Sequence, residues 1–293
     1  MHVTSTGMKR LCARWSLAFV LLALIAALSM TGVRAGDGPQ APIIALTNDP
    51  SSGALLKSDG KALYRSVDQG ASWASIPLPP LAGGSIAAIA VPADRAGAVF
   101  IAGPGLGVLS TENEGSSWTR SNTGLPSNEV TAFAAHATLG ETLYAFVPEN
   151  GIYRSQDAGE NWKLVDKGPK EIQQLIHTDM QGSMETGWLY AATSQGVRVS
   201  MDCFCLWRDA GELNGQTDTV AYDPQQPERL YAASEQGLFR STNGGQEWEP
   251  ATAPDALVAA LTVTPSGVLF AASIDGALFR STDQAETWER FGE

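Results

Sequence analysis

Histidine and cysteine are scarce in this chain of 293 residues, which has three of each. Beyond residue 35 only two histidines and two cysteines remain: His136, His177, Cys203 and Cys205. Protein zinc sites usually take several histidines or cysteines, and a nucleophilic triad usually takes a histidine as its base. The sequence therefore disfavours both kinds of site, and we expect neither a metal nor a cofactor.

Basic residues are also few, with 19 Lys and Arg against 31 Asp and Glu, a net charge of -12 and a pI near 4.7. Nucleic acids and anionic membranes are bound by basic faces. The composition therefore excludes a nucleic-acid partner. Hydrophobic residues make up 44% of the chain and charged residues 17%, a balance typical of globular proteins.

The N-terminal region has the order of a secretory signal peptide. Three basic residues precede an apolar run from Leu17 to Met30, and a small-residue sequence, Val33-Arg34-Ala35-Gly36, follows. This order predicts a signal peptide over residues 1–35 and an exported protein. The alternative is an uncleaved membrane anchor, because the run from Ser16 to Val33 has eighteen residues, the lower limit for a span.

Six of the eight tryptophans recur at spacings of 45, 44, 45, 41 and 40 residues. Each ends an eight-residue pattern, Ser/Thr-x-Asp-x-Gly-x-x-Trp, which we call the box. Two copies have Asn at the Asp position, and two have Phe204 or Ala285 at the Gly position. The box residues are Ser66, Asp68, Gly70 and Trp73; Thr111, Asn113, Gly115 and Trp118; Ser155, Asp157, Gly159 and Trp162; Ser200, Asp202 and Trp207; Ser241, Asn243, Gly245 and Trp248; Ser281, Asp283 and Trp288.

Every unit of the repeat contains the pattern of four short strands. A strand, a glycine-containing turn and a second strand precede each box, as in LYAASEQGLFRS, and a short polar strand follows each box tryptophan. Each unit also begins with an apolar strand, at Ile43–Leu46, Ile86–Val91, Val130–Ala134, Ile172–Ile176, Val220–Tyr222 and Leu257–Val263. Residues 36–293 hold six such units of about 43 residues, the size of a propeller blade.

We therefore predict one all-β domain over residues 36–293, a six-bladed β-propeller of four-stranded antiparallel blades. The chain begins with an inner strand and ends with an outer strand, so each blade should be contiguous in sequence. Closure of the ring should then depend on packing between the first and last blades. Residues 172–176 also fit a helix face, but the register of the repeat favours a strand.

The residue types of the box indicate a structural role. Asp or Asn can accept bonds from the N–H groups of its own turn, and the Ser or Thr hydroxyl can add another local bond. Gly supplies a positive φ, and Trp covers the turn with a large apolar surface. We interpret the box residues as stabilising rather than catalytic, and we predict no catalytic residue among them.

The box and its strands resemble the Asp-box (BNR) repeat of sialidase-like propellers, which also occurs in sortilin-type receptors, xyloglucan-cleaving glycosidases and photosystem II assembly factors. The resemblance covers essentially all of residues 36–293 and implies the fold rather than a function. A sialidase would need three converging arginines, and no arginine lies on a predicted inner strand. Tyr222, the one tyrosine there, is assigned to the core. Photosystem II assembly factors normally have seven blades and a basic patch, so that role does not carry over.

The function that we predict is binding of a protein or glycan by an exported, monomeric, non-enzymatic propeller. The binding surface should be the face opposite the boxes, where acidic loops favour a basic partner. The alternative is a glycoside hydrolase that uses two loop carboxylates. Asp209, Glu212 and Asp218 offer oxygen ligands for Ca²⁺, but their spacing matches no calcium motif. The residues assigned to the partner face are Asp59, Glu149, Asp218, Glu235 and Asp275.

Cys203 and Cys205 flank Phe204 in the fourth box, where the pattern has glycine. An exported compartment permits a disulfide between them, which would brace a turn that lacks its glycine. The alternatives are two free thiols or a pair of thiolates that makes an incomplete metal site.

Overall fold

The computed structural model describes residues 41–182, 187–202, 204 and 206–291. These residues form six four-stranded antiparallel sheets and no helix. Each sheet uses four strands that are consecutive in the sequence, and the sheets are the six blades of a β-propeller. The predicted fold class is confirmed. None of the described segments is a helix long and apolar enough to cross a bilayer.

The strands of blades 1 to 3 are β1 (Ala45–Asn48), β2 (Leu55–Ser58), β3 (Leu63–Ser66), β4 (Ala74–Ile76), β5 (Ala88–Ala90), β6 (Val99–Gly103), β7 (Gly107–Thr111), β8 (Thr119–Arg120), β9 (Ala132–Ala135), β10 (Leu143–Val147), β11 (Gly151–Ser155) and β12 (Lys163–Asp166). Those of blades 4 to 6 are β13 (Ile172–Thr178), β14 (Trp188–Thr193), β15 (Gly196–Ser200), β16 (Trp207–Asp209), β17 (Thr217–Asp223), β18 (Gln226–Ser234), β19 (Gly237–Ser241), β20 (Glu249–Ala251), β21 (Val258–Val263), β22 (Leu269–Ser273), β23 (Leu278–Ser281) and β24 (Glu289–Phe291). The inner strand of each blade overlaps the predicted one, and residues 172–176 are a strand.

The core lies between the blades. The buried apolar residues of the described chain form six clusters, each shared by two neighbouring blades. Between blades 2 and 3, for example, the Phe133 ring lies 6.1 Å from Phe100 and 5.9 Å from Trp162. The cluster that joins blade 6 to blade 1 includes Phe270 and Leu55. The ring therefore closes by side-chain packing, without exchange of a strand, as the contiguous blades predict.

The order of the strands gives the propeller two different faces. Because consecutive strands are antiparallel, the turns after the first and third strands of a blade lie at one end, which we call the box face. The turns after the second strands and the connections between blades lie at the other end, which we call the opposite face. A cavity of about 210 Å³, the central channel, is lined by the inner strands of all six blades.

Candidate functional site

The box turns are closed by side chains in a common pattern, shown by the third box. The Ser155 hydroxyl donates to Asp157 Oδ1 at 2.7 Å and accepts from the Gly159 N–H at 2.8 Å. Asp157 Oδ1 also accepts the N–H of Asn161 at 2.9 Å. Ala158 and Gly159 have φ values of 56° and 87°, so two consecutive residues are left-handed. The turn thus needs both an acceptor and a residue that tolerates positive φ.

Four other boxes repeat these bonds, and the fourth box departs from them. The same hydroxyl and carboxylate or amide contacts occur in boxes one, two, five and six. In the fourth box the buried Ser200 hydroxyl has no hydrogen-bond partner among the described residues, and Phe204 occupies the glycine position with φ 69°. Cys203 and Cys205 lie outside the described residues, so their pairing stays a prediction.

The box carboxylates have lowered pKa values because they accept hydrogen bonds from their own turns. The Ser72 hydroxyl lowers the pKa of Asp68 to about 2, and the Thr287 hydroxyl does the same for Asp283. A carboxyl that protonates a leaving group needs a raised pKa instead. These side chains therefore remain ionised and hold their turns.

The box tryptophans connect neighbouring blades. Trp162 Nε1 donates to the Ser121 carbonyl at 2.7 Å, so a residue of blade 3 bonds the end of the outer strand of blade 2. The sequence predicted only that the tryptophan would cover its turn with a large apolar surface. The equivalent bonds run from Trp118 to the Pro77 carbonyl, Trp207 to the Asp166 carboxylate, Trp248 to the Ala210 carbonyl and Trp288 to the Thr252 carbonyl, at 2.6 to 3.0 Å.

Arginines that directly precede a box reach the box of the next blade. Arg65 pairs with Glu114 at 2.6 Å, and Arg280 donates to Gln69 at 3.1 Å across the closure of the ring. The guanidinium of Arg154 lies 6.0 Å from the ring centroid of Phe204. These arginines therefore contact neighbouring blades at the periphery rather than converging on a substrate carboxylate.

The central channel has two different walls. Blades 2 and 3 contribute alanines, such as Ala88 and Ala132, whereas blades 4 and 5 contribute polar side chains. Gln174 Oε1 accepts the N–H of Val220 at 2.7 Å and so joins the inner strands of blades 4 and 5. Tyr222 also lines the channel, and burial and then Asp179 raise its pKa. Tyr222 is half-buried and packs against the apolar cluster shared by blades 4 and 5.

Two histidines lie together at the box-face end of the channel. The rings of His136 and His177 stack with centroids 3.7 Å apart. Both residues are buried, with exposed fractions of 3% and 6%. Burial and then His136 lower the pKa of His177 to about 2. The sequence assigned neither residue a role. His177 pairs with Leu189 as Ala135 pairs with Leu143, so the two histidines occupy neighbouring rather than equivalent positions of the repeat, and no repeat signal could have brought them together.

The five acids assigned to the partner face all lie at the opposite face. Asp59, Glu149, Glu235 and Asp275 are in the turns after the second strands of four different blades, and Asp218 is near the start of the inner strand β17. Asp218 lines the channel and accepts from Gln216 Nε2 at 2.7 Å. A bond from the Ser273 hydroxyl lowers the pKa of Asp275. The structure places these acids around the ring without bringing them into one cluster.

The opposite face also carries exposed apolar side chains that sequence reasoning missed. Ile44, Leu257 and Ile274 are 47%, 70% and 55% exposed; we call Leu257 and Ile274, which lie together in blade 6, the apolar patch. The Ile274 N–H donates to the Leu257 carbonyl at 3.2 Å, and Ile44 lines the channel. Sequence reasoning placed Leu257 in an inner strand, but β21 begins one residue later and leaves Leu257 exposed.

No three His, Cys, Asp or Glu side chains within the described ranges come together in a way that could hold a metal ion. Among the acids considered for Ca²⁺, Asp209 pairs with Arg198 at 3.0 Å. The signal peptide predicted for residues 1–35 lies outside the described residues.

Neither a protein-family model nor a curated protein matches the sequence. A GH74 enzyme from Niastella koreensis is similar in structure, with 18% identity, a TM-score of 0.57, and coverage of 84% of this chain and 46% of the enzyme. The GH74 xyloglucanase from Xanthomonas campestris has 18% identity, a TM-score of 0.60, and coverage of 87% and 55%. This chain thus spans about half the length of these enzymes.

A third similar structure is described as YCF48 bound to D1 peptide, with 19% identity and a TM-score of 0.57. The similarity covers 86% of this chain and 82% of YCF48. At identities this low, what the three structures share with this chain is the β-propeller fold, and function has to be argued from the site.

Proposed function

We propose that this protein is an exported, monomeric, non-enzymatic propeller of the Asp-box repeat type that binds a segment of another protein on its opposite face. The observation that carries this proposal is the apolar patch. Leu257 and Ile274 are exposed together on this face, where burial by a partner would release water from apolar surface. The bound peptide of YCF48 supports a peptide as the ligand of such a fold.

The charge around the patch defines the chemistry of the partner. The exposed Asp275 directly follows Ile274, and the exposed Asp255 lies two residues before Leu257. Acids around an apolar centre are complementary to a segment with apolar and basic side chains. The partner that we infer is therefore a short segment that combines leucine-like residues with lysine or arginine.

The experiment compares three pools of fluorescent dodecapeptides in which apolar residues are combined with Lys and Arg, with Asp and Glu, or with Ser and Gln. Anisotropy titration should give the tightest binding for the basic pool. The double variant Leu257→Ser, Ile274→Ser should weaken that binding by about tenfold or more, equal to about 1.4 kcal/mol.

A matched control removes exposed apolar side chains elsewhere. Val67 on the box face is 81% exposed, and Leu164 on the outer strand β12 is 47% exposed. The double variant Val67→Ser, Leu164→Ser should bind the basic pool like the wild type. Equal losses in both double variants, or no binding of any pool, would contradict the proposal.

The alternative function is a glycoside hydrolase, and the similarity to the GH74 enzymes supports it as the second candidate. It requires a proton-donating carboxyl with a raised pKa near the channel mouth. Asp275 on that face has a lowered pKa and does not fit this role. Release of reducing sugar from xyloglucan by the purified protein, abolished by substitution of two carboxylates of the opposite face, would establish the hydrolase instead.

A further inference from the structure

Several blades have a similar turn after the inner strand. The side chain of the residue that begins this turn accepts a hydrogen bond from a backbone N–H later in the turn. In blades 1, 5 and 6 this residue is Asp49, Asp223 or Thr264, and proline follows it each time. A carboxylate or hydroxyl oxygen accepts a backbone N–H from later in the turn. The bonds are Ser51 N–H to Asp49 at 2.9 Å, Gln225 N–H to Asp223 at 2.9 Å and Val268 N–H to Thr264 at 3.2 Å.

In blade 3 this position is occupied by His136. Its Nδ1 accepts the N–H groups of Thr138 and Leu139, both at 3.1 Å, which are two and three residues further along. The N–H of the residue between, Ala137, donates to Nδ1 of His177 in blade 4 at 3.2 Å. Three consecutive amides of one turn therefore end on two stacked imidazoles.

This geometry requires both rings to be neutral. A neutral imidazole accepts at one nitrogen and donates at the other, so each ring here carries its hydrogen on Nε2. Protonation would add a hydrogen to Nδ1, so that this nitrogen could no longer accept. The backbone N–H groups that now donate to it would then face another donor and lose their hydrogen bonds. Two positive rings 3.7 Å apart would also repel each other. A carboxylate in the same position, as in Asp49, meets neither difficulty at mildly acidic pH.

The groups that face the pair come from three blades. Tyr144 of blade 3 stacks on His177 with a centroid distance of 5.5 Å. The causes that lower the pKa of His177 are burial and His136. Other titratable or charged groups near the pair include the exposed Glu141 of the same turn and Asp179, which is two residues beyond His177 and close enough to Tyr222 to raise its pKa. Arg95 of blade 2 packs against Gly140 and pairs with Glu112 at 2.8 Å.

We propose that His136 and His177 form an acid-sensitive latch that, on protonation, releases the turn at residues 137–139 and loosens the boundary between blades 3 and 4 at the box-face end of the channel. Histidine with an ordinary pKa of about 6.5 gains its charge in mildly acidic conditions. The turns capped by Asp49, Asp223 and Thr264 stay closed over the same range. The turn of blade 3 therefore becomes easier to open than the other turns as the pH falls below about 6.5.

Hydrogen exchange of the full protein at pH 7.5 and pH 5.0, corrected for the intrinsic rates, tests the latch. If one histidine titrates only when the turn opens, protection of the amides of residues 137–139 should fall about 30-fold between these pH values. The turn at residues 264–268, which is closed by hydroxyls, serves as the internal control and should keep its protection. Equal changes in both turns would overturn the proposal.

The double variant His136→Asn, His177→Asn separates the latch from general acid unfolding. Asparagine Oδ1 replaces Nδ1 as the acceptor but does not titrate in this range. The variant should fold and should keep the protection of residues 137–139 at pH 5.0. A 30-fold loss that persists in the variant would contradict the latch. If the variant does not fold, the comparison of the two wild-type turns decides the question.

Discussion

The indole N–H of Trp162 donates to the backbone carbonyl oxygen of Ser121 at 2.7 Å, across the boundary between two blades. Trp162 is buried, and its ring also packs edge-on against Phe133. One side chain of a box thus fills the space between blades and bonds the end of the outer strand of the preceding blade. The equivalent bonds of Trp207 and Trp288 belong to the two boxes that lack the glycine, so this link between blades does not depend on it.

Replacement of Trp162 should therefore be among the most damaging changes to stability. We expect Trp162→Ala to lower the free energy of unfolding by about 3–5 kcal/mol, as for other buried large aromatics. Trp162→Phe keeps most of the apolar contact and loses the bond to Ser121, so its cost should be smaller. Urea denaturation with a constant m-value measures both. A loss below about 1 kcal/mol for Trp162→Ala would contradict a structural role for the box.

The carboxylate of the box should matter as an acceptor and not as an acid. Asp157→Ala should cost about 1–2 kcal/mol, because the Asn161 N–H loses its partner. Asp157→Asn should be nearly neutral, since Asn113 and Asn243 close their turns through Oδ1 in the same way. Thermal unfolding at pH 7 compares the two variants. Loss of ligand binding by folded Asp157→Ala would instead indicate a direct functional role.

The same carboxylate should contribute a small pH dependence. Bonds from Asn161 lower the pKa of Asp157 below its ordinary 3.8. A lowered folded pKa gives stability that is present above pH 3.8 and is lost as the pH falls through the folded pKa. Asp157→Asn should therefore lose less stability than the wild type between pH 4 and pH 2. Parallel pH profiles for the two proteins would contradict this assignment.

The closure of the ring combines apolar packing with polar links from Asn48 and from Arg280, which donates to Gln69. Asn48 Nδ2 donates to Thr262 Oγ1 at 2.8 Å and to the Val263 carbonyl at 2.9 Å, joining blade 1 to blade 6. Asn48→Ala should increase hydrogen exchange in β1 and β21 most. Gln174→Ala, which removes the equivalent link from blade 4 to Val220, should act on β13 and β17 instead. Identical exchange patterns would show that the boundaries open together rather than separately.

The sequence was informative where a physical requirement repeats and uninformative where it does not. The spacing of the six tryptophans, with the strand–turn–strand pattern before each box, was enough to predict the strand order and the contiguous blades. The same pattern predicted the end of the propeller at which Asp59 and Asp275 lie. The stacking of His136 on His177 depends on two side chains that are 41 residues apart and belong to different blades. Leu257, which the pattern placed in an inner strand, lies one residue before β21 and is 70% exposed. Such details depend on three-dimensional packing, which no repeat pattern encodes.

The acids of the opposite face provide a test of how a partner approaches. The triple variant Asp218→Lys, Glu235→Lys, Asp275→Lys should slow association of the basic peptide pool and flatten its salt dependence, because long-range attraction is screened within about 8 Å at physiological ionic strength. Stopped-flow measurements at about 20 mM and about 150 mM salt give the association rate constant and its dependence on salt. The off-rate should change less, since rim charges act mainly on encounter.

A second triple variant supplies the control for net charge. Glu141, Glu160 and Glu228 are exposed on the box face, and their replacement by Lys changes the total charge by the same amount. If steering is local to the opposite face, this variant should keep most of the on-rate of the wild type. If both triple variants slow association equally, the acids act through net charge alone. If neither does, the acids only keep the protein soluble, and the binding surface must be sought on the box face or the outer strands.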